Sequence, residues 1–508
     1  MSIQPGGTSF SKIRLIFWPI EREELKLFVP MALLMLCILF NFSVLRSIKD
    51  SLVVPSIGAE AISFLKLWLV LPSAILFTVI YVKLSNILKI DQIFYILIST
   101  FLLVFILFAY VIYPSQGYYH PSASTIDLLL QSHPYLQWFI KLFSKWSYAV
   151  IYIFGELWSV AVINLMFWQF ANHMVETSQA RRFYPMFGLV GNTGIILAGN
   201  VIVYFAGVSF TDELLPESFG GPSAVGAHIT LKLMVASITV SGIIAMLIFR
   251  YINKIALHDK DVKLLSGHNI HDTQTKLSLK ESIKLVMSSR YIGYIVLMII
   301  CYGLIINILE GPWKAKLREL YPTTIEYITF MGNFNIWMGS CSVFFMLLGS
   351  NALRKFSWLT SALITPSIIG ITGGMFFTFV VFPEYFASSL QNIAFDPLYA
   401  AVLVGAAQNI LSKSTKYSLF DSTKEMTYIP LSIELRTKGK AAAEVIGAKI
   451  GKSLGALVQS SIFTFVPLAT FDSIAPLLMV IFIIVIALWI ADVHKLNKEY
   501  TEIIPRSE

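Results

Sequence analysis

Arg46-Ser-Ile-Lys49-Asp50 closes the first apolar stretch of this 508-residue chain. On a helix, Arg46 and Lys49 stand three apart and Arg46 and Asp50 four apart, so all three share a face. Two bases beside one acid draw an anion more readily than a cation. A charge facing lipid at mid-membrane costs at least about 2.5–3.5 kcal/mol on insertion scales, and a water-filled cavity removes much of that penalty. The competing reading is an interfacial cluster, an Arg–Asp pair with a lysine that reaches the membrane surface.

Three further charges stand where lipid would not tolerate them. Glu156 lies early in a stretch that also holds Trp158, Asn164 and Trp168. It must face protein or water, either as a clamp to a base of another helix or on a transport path. His173, at the inner end of the same stretch, has no companion His, Cys or acid cluster that would make it a metal ligand. Asn307-Ile-Leu-Glu310-Gly-Pro-Trp-Lys314 ends another stretch. Glu310 would reach Lys314 if the helix continued, but Gly311 and Pro312 argue for a bend or a stop, because proline inside a helix frees a carbonyl. That bend would suit a gate at the outer mouth; a helix end with a surface ion pair is the plain alternative. Lys452 follows two glycines in Gly447-Ala-Lys-Ile-Gly451-Lys452-Ser453, one residue short of phosphate-loop spacing and with no strand before it. This argues against a P-loop ATPase. Lys452 could donate to phosphate from a helix end, or serve only as a charge that orients the chain.

The elements that carry these charges are apolar stretches of spanning length. Twelve are expected, at 25–45, 62–82, 92–113, 148–170, 187–207, 227–249, 290–309, 327–349, 357–381, 395–411, 454–471 and 474–492. The tenth is short and holds Gly405 and Gln408. About 20 apolar residues cross a bilayer as a helix. Runs such as Leu33–Phe40 do not alternate in polarity, which excludes barrel strands. The chain is 56% hydrophobic and only 13% charged, against about 25% charged in soluble domains. The fold class is therefore an all-α polytopic membrane protein.

Loop charges set the orientation. Lys83, Lys89, Arg181, Arg182, Arg354 and Lys355 fall on one side, with the polar interval from Ser412 to Lys452, while loops 208–226 and 382–394 hold no Lys or Arg. This pattern puts both termini in the cytoplasm. The outer loops near Lys141 and Lys314 are exceptions, whose charges either face a substrate path or are simply solvated. Residues 12–26 read as an amphipathic helix on the inner surface. Six stretches precede the basic segment Arg250–Arg290 and six follow it. The expected domains are an N-terminal six-helix bundle at 1–250, a cytoplasmic linker at 251–289 and a C-terminal six-helix bundle with a cytoplasmic tail at 290–508. A cavity between two bundles is the build of alternating-access carriers.

Other classes find little support. Cys37, Cys301 and Cys341 lie in apolar stretches with no metal-ligand spacing and read as small hydrophobes. No metal or cofactor is implied. The net charge of +8 follows membrane topology, and no basic groove interleaved with aromatics suggests nucleic acid. The glycines of Gly188-Leu-Val-Gly191-Asn192-Thr193-Gly194 read as helix packing. A membrane-bound enzyme or receptor would need a soluble domain or a catalytic constellation, and neither is visible.

Longer segments sharpen the picture. Leu45-Arg-Ser-Ile-Lys49-Asp50, Glu156-Leu-Trp158, Phe167-Trp-Gln-Phe-Ala-Asn172, Arg182-Phe-Tyr-Pro-Met-Phe-Gly188 and Lys416-Tyr-Ser-Leu-Phe-Asp421, continuing to Leu431, resemble the bacterial and plastid ATP/ADP translocase family. The resemblance covers nearly the whole chain and is strongest to paralogues of obligate intracellular bacteria. It implies a twelve-helix, major-facilitator-like carrier in a bacterial inner membrane. It implies exchange of ATP for ADP without hydrolysis or, on the same carrier, transport of other ribonucleotides such as GTP, CTP or UTP, with or without protons. The family's essential base in span one falls on Lys49, its acids in spans four and seven on Glu156 and Glu310, and its lysine before span eleven on Lys452, with Arg46 a possible helper. Nucleotide di- and triphosphates and the bilayer are the expected partners of a monomeric carrier. Ser422-Thr423 and Thr427 depart from the family pattern and bear on substrate choice rather than on fold. Reporter fusions at Ser218 and Asn269 should report opposite sides of the membrane, with Asn269 cytoplasmic; a shared side would remove the sixth span.

Overall fold

The computed structural model describes residues 18–175, 177–209, 221–258, 289–386, 396–431, 433–466 and 468–503. Its long helices are α1 Leu25–Ser56, α2 Ala61–Ile87, α3 Asp91–Ile112, α4 Trp146–Asn172, α5 Thr177–Ser209, α6 Gly221–His258, α7 Arg290–Leu320, α8 Thr324–Lys355, α9 Trp358–Val381, α10 Pro397–Thr415, α11 Ile433–Phe465 and α12 Phe471–Ile503. Most of the expected linker, 259–288, lies outside the described residues, as do Ser218 and Asn269. So does the start of the expected surface helix at 12–26; its described part, from Trp18 to Glu24, is coil and turn.

Ten of these helices, not twelve, are both long and apolar enough to cross a membrane among the described residues. The other two, α10 and α11, are helical where spans ten and eleven were expected. They miss on polarity: α10 carries Gln408, Asn409, Ser412 and Lys413, and α11 carries Lys440, Lys449 and Lys452. The apolar run expected at 454–471 is also broken, because α11 ends at Phe465 and α12 starts at Phe471.

Several helices turn apolar stripes outward. Ile75, Leu76, Val79 and Ile80 on α2 are exposed, as are Val480, Ile483, Ile484 and Leu488 on α12. This spacing puts each set on one helical face, a surface suited to lipid rather than water. Inner faces bury aromatics: Phe28 stacks on Phe187 at 5.4 Å, and Trp158 meets Phe101 edge-on at 5.5 Å.

Glycines set how closely the helices approach. On α11, Gly447, Gly451 and Gly455 repeat every four residues and form one stripe against α7. A Cβ on Gly303 of α7 would lie 3.0 Å from the backbone of Gly451, and one on Gly455 would lie 2.6 Å from Asn307 Cβ. The near-phosphate-loop spacing around Lys452 is thus a packing stripe inside a continuous helix. The span-five glycines act likewise: a Cβ on Gly194 would meet the Leu36 carbonyl of α1 at 2.5 Å, and one on Gly199 the Gly332 carbonyl of α8 at 2.6 Å. Small residues permit such contacts between membrane helices. Gly303→Val should lower the melting temperature of the purified carrier, by about 1–3 kcal/mol of overpacking. Gly207→Ala, with open space around its Cβ, should leave it unchanged or raise it. Equal effects would show that close packing at Gly303 does not matter.

Candidate functional site

The charge cluster of α1 lies within the helix, before its Ser56 end, and is enclosed by protein. Arg46, Lys49 and Asp50 are all buried, Asp50 completely. Room for Lys49 comes from Gly155 of α4, where a Cβ would lie 3.0 Å from Lys49 Cδ. Lys49 Nζ reaches Glu156 Oε1 at 2.8 Å and Asp50 Oδ1 at 3.1 Å, and lies 4.0 Å from the centre of the Tyr152 ring. Glu156 therefore has its base from another helix, and its side chain keeps about a third of its surface open.

The second half of the chain supplies the opposing charges from α7. That helix continues through Gly311 and Pro312 to Leu320, so of the expected bend or stop the stop is absent. Proline leaves the Ile308 carbonyl without its helical donor, and Gln459 of α11 donates to the neighbouring Asn307 carbonyl at 2.9 Å. Because the helix continues, Glu310 and Lys314 do pair, at 3.1 Å. Lys314 is almost completely buried and binds Asp50 Oδ2 at 2.9 Å. It is a member of the cluster rather than an outer-loop charge. Glu310 also meets Arg46 Nη2 at 3.4 Å.

Lys66 was not picked out from sequence. Its ammonium binds Glu310 Oε2 at 2.9 Å and Asn307 Oδ1 at 3.0 Å. It lies in the π-helical segment Leu65–Val70 of α2. A lone lysine within the apolar stretch 62–82 is the same signal that drew attention to Arg46. Two further π-helical segments lie beside charges: Ser159–Phe167 follows Glu156, and Lys416–Phe420 opens on Lys416. Such widened turns are frequent at functional sites, because they re-aim side chains without ending the helix.

These contacts join the halves near the Ser56 end of α1 and the Leu320 end of α7. Glu60 adds one more, accepting from the Phe471 backbone N–H at 3.2 Å. Trp138 and Phe463 cover the same end, with ring centres 6.1 Å apart. A cavity of about 10 Å³ lies there, lined by Ser63, Lys66, Asn307, Glu310 and Lys314.

Lys452 is not paired into this layer. It is exposed on α11, with Glu156, Lys416, Lys66 and Glu310 as its charged surroundings. The Lys416–Leu431 segment prolongs α10 as the Lys416–Phe420 turn and a helix Asp421–Tyr428. Lys416 binds Asp421 at 2.8 Å. Thr423 and Thr427 are buried and donate to carbonyls of their own helix, so they pack rather than line an opening. Arg182 clamps Glu24 at 2.5 Å and the Pro19 carbonyl at 2.9 Å, fixing the start of α5 to the entry of α1. No group of three His, Cys, Asp or Glu suited to a metal occurs among the described residues.

The helical bundle has the fold of solved multi-helix transporters. A D-xylose–proton symporter superposes with a TM-score of 0.55 over 92% of this chain and 96% of its own, at 13% identity. A bacterial homologue of the iron transporter ferroportin, in an inward-facing state, gives 0.54 over 91% and 99%, at 15% identity. The TLC ATP/ADP transporter model matches residues 4–500. ADP,ATP carrier protein 3 of Rickettsia felis is 62% identical over 501 residues, 98% of this chain and 99% of that one. ADP,ATP carrier protein 1 of Rickettsia prowazekii is 45% identical over 509 residues, covering both chains fully. The chain belongs to the TLC ATP/ADP transporter family and is a secondary transporter.

Glu310 holds three cations, so Glu310→Gln should loosen the closed end. In a background free of native cysteines, Ser63→Cys should react with a thiol reagent faster by about tenfold or more when Glu310→Gln is added. Lys316→Gln, whose partners Glu319 and Asp472 lie outside the layer, should not accelerate it. Equal labelling in all three would mean that the ion pairs do not hold this end shut.

Proposed function

We propose that this chain imports ATP in exchange for ADP across a bacterial inner membrane by alternating access, without hydrolysis. The observation that carries the reading is the ion-pair layer in which Arg46 and Lys66 meet Glu310 while Asp50 bridges Lys49 and Lys314, in a chain of this family. Lys49, Lys452 and Arg46 are the phosphate-directed charges. Glu156 and Glu310 hold the basic groups while the site is empty. Nucleotide phosphates compete for those bases, the pairs exchange partners, and one half rocks against the other.

The proposed architecture is twelve spanning helices in two six-helix bundles, 1–250 and 290–508, joined by a cytoplasmic linker. The helix α11 supports it by length: its 33 residues reach roughly 50 Å. Polar helices such as α10 and α11 can cross when they face a cavity or other helices rather than lipid. Both termini face the cytoplasm on the loop-charge pattern, and the charge layer then closes the outer side. The working unit is a monomer, and nucleic acid is not a partner. Exchange of ATP⁴⁻ for ADP³⁻ moves one net charge, worth about 2.3 kcal/mol per 100 mV.

Proteoliposomes loaded with ADP should take up labelled ATP faster than empty ones, with no carrier-dependent release of phosphate. Lys49→Ala should insert normally yet lose about tenfold or more of uptake for adenine, guanine and pyrimidine nucleotides alike, since the lost contact is charge-assisted. Equal rates in loaded and empty vesicles would end the exchange reading. Wild-type transport by Lys49→Ala would leave that lysine without a phosphate role.

A further inference from the structure

Lys413 lies on α10, two residues before its Thr415 end. Its Nζ is enclosed and finds no hydrogen-bond partner. The group it does face is the Phe334 ring, whose centre is 5.8 Å away. Arg46 Cζ lies 5.9 Å from the same ring, so two cations flank one aromatic surface. The charged groups around Lys413 are Arg46, Glu310, Lys314 and Asp50.

Each other cation of the layer already touches a carboxylate: Arg46 and Lys66 touch Glu310, Lys49 touches Glu156, and Lys314 touches Asp50. Lys413 is the exception. The five basic side chains Arg46, Lys49, Lys66, Lys314 and Lys413 face three carboxylates, Asp50, Glu156 and Glu310, so the layer holds two more bases than acids. An ammonium removed from water without a partner is strongly disfavoured, and contact with an aromatic face recovers only a small part. The partner this site lacks is an anion. For Lys413 to bind it, no existing ion pair need break, unlike at Arg46 or Lys49.

Lys452 is open and Lys413 is enclosed, and both have Glu310 among their charged neighbours. For a polyphosphate tail, Lys452 is the open contact and the Lys413 ammonium the enclosed one. Resting on the nucleotide reading above, we propose that Lys413 binds the terminal phosphate of the transported nucleotide and so weighs triphosphate against diphosphate.

Purified wild-type, Lys413→Met and Lys413→Arg carriers would be titrated calorimetrically with ATP, ADP, AMP, tripolyphosphate and pyrophosphate, and their melting followed with and without tripolyphosphate. Lys413→Met should weaken ATP and tripolyphosphate by about tenfold or more, ADP and pyrophosphate less, and AMP not at all. Lys413→Arg keeps the charge and should retain most of the affinity. Because an unpaired buried charge is removed, Lys413→Met should melt at a higher temperature when empty yet gain less from tripolyphosphate. A purely structural lysine would give the opposite melting result. An equal loss across ATP, ADP and AMP, or unchanged tripolyphosphate binding, would overturn the proposal. A wild-type carrier that binds tripolyphosphate but not ATP would overturn the nucleotide reading, and the tripolyphosphate comparison would still decide the role of Lys413.

Discussion

Asp50 is cut off from water, and the ammonium groups of Lys49 and Lys314 stand in for its hydration. A buried pair holds only while both partners stay: removing one leaves an uncompensated charge at a cost of about 3–5 kcal/mol. Lys49 comes from the same helix as Asp50, but Lys314 comes from α7. Glu310 repeats the arrangement in reverse, an acid of α7 held by Arg46 of α1 and Lys66 of α2. Each half of the chain thus satisfies charges of the other. Separating the halves without a substitute partner would leave buried charges unpaired.

The close packing of the helices makes that layer possible. Gly155 leaves space for the Lys49 stem, whose ammonium lies between Glu156, Asp50 and the Tyr152 ring; a Cβ there would press on Lys49 Cδ. The glycine stripe of α11 lets that helix touch α7 backbone to backbone, which brings Gln459 onto the Asn307 carbonyl. Asn307 in turn fixes Lys66. A packing device and an electrostatic device share the same residues, so a change in helix approach is felt as a change in ion pairing.

An anionic substrate is the natural substitute partner. Phosphate oxygens accept the same charge-assisted hydrogen bonds as carboxylates; in the proposed exchange the lysines and the arginine pass from protein acids to ligand. No bond to phosphorus is made or broken in that exchange. On that reading the driving force is the nucleotide gradients, with voltage added when the exchanged charges differ.

The sequence by itself determined the solvent this chain lives in. Stretch length and the absence of alternation specify lipid-spanning helices, because a backbone in hydrocarbon must satisfy its own hydrogen bonds. It also marked Arg46, Lys49, Glu156 and Glu310 as costly in lipid, a local property of each residue. It misjudged features set by neighbours. Gly311-Pro312 looked like a bend or a stop, and the stop is absent because a helix packed on both sides carries proline through. Lys314 looked like a charge near an outer loop, facing either a substrate path or solvent, and the continued helix instead buries it against Asp50 and Glu310. Lys66 and Lys413 looked ordinary. Which base meets which acid was decided only by tertiary structure: Arg46 and Glu310 are 264 residues apart in the chain, and their distance depends on how α1 and α7 approach. Polarity alone also ranked α10 and α11 below the other helices, since hydropathy counts a side chain as if it faced lipid. Only packing shows that Lys413 faces the Phe334 ring inside the protein.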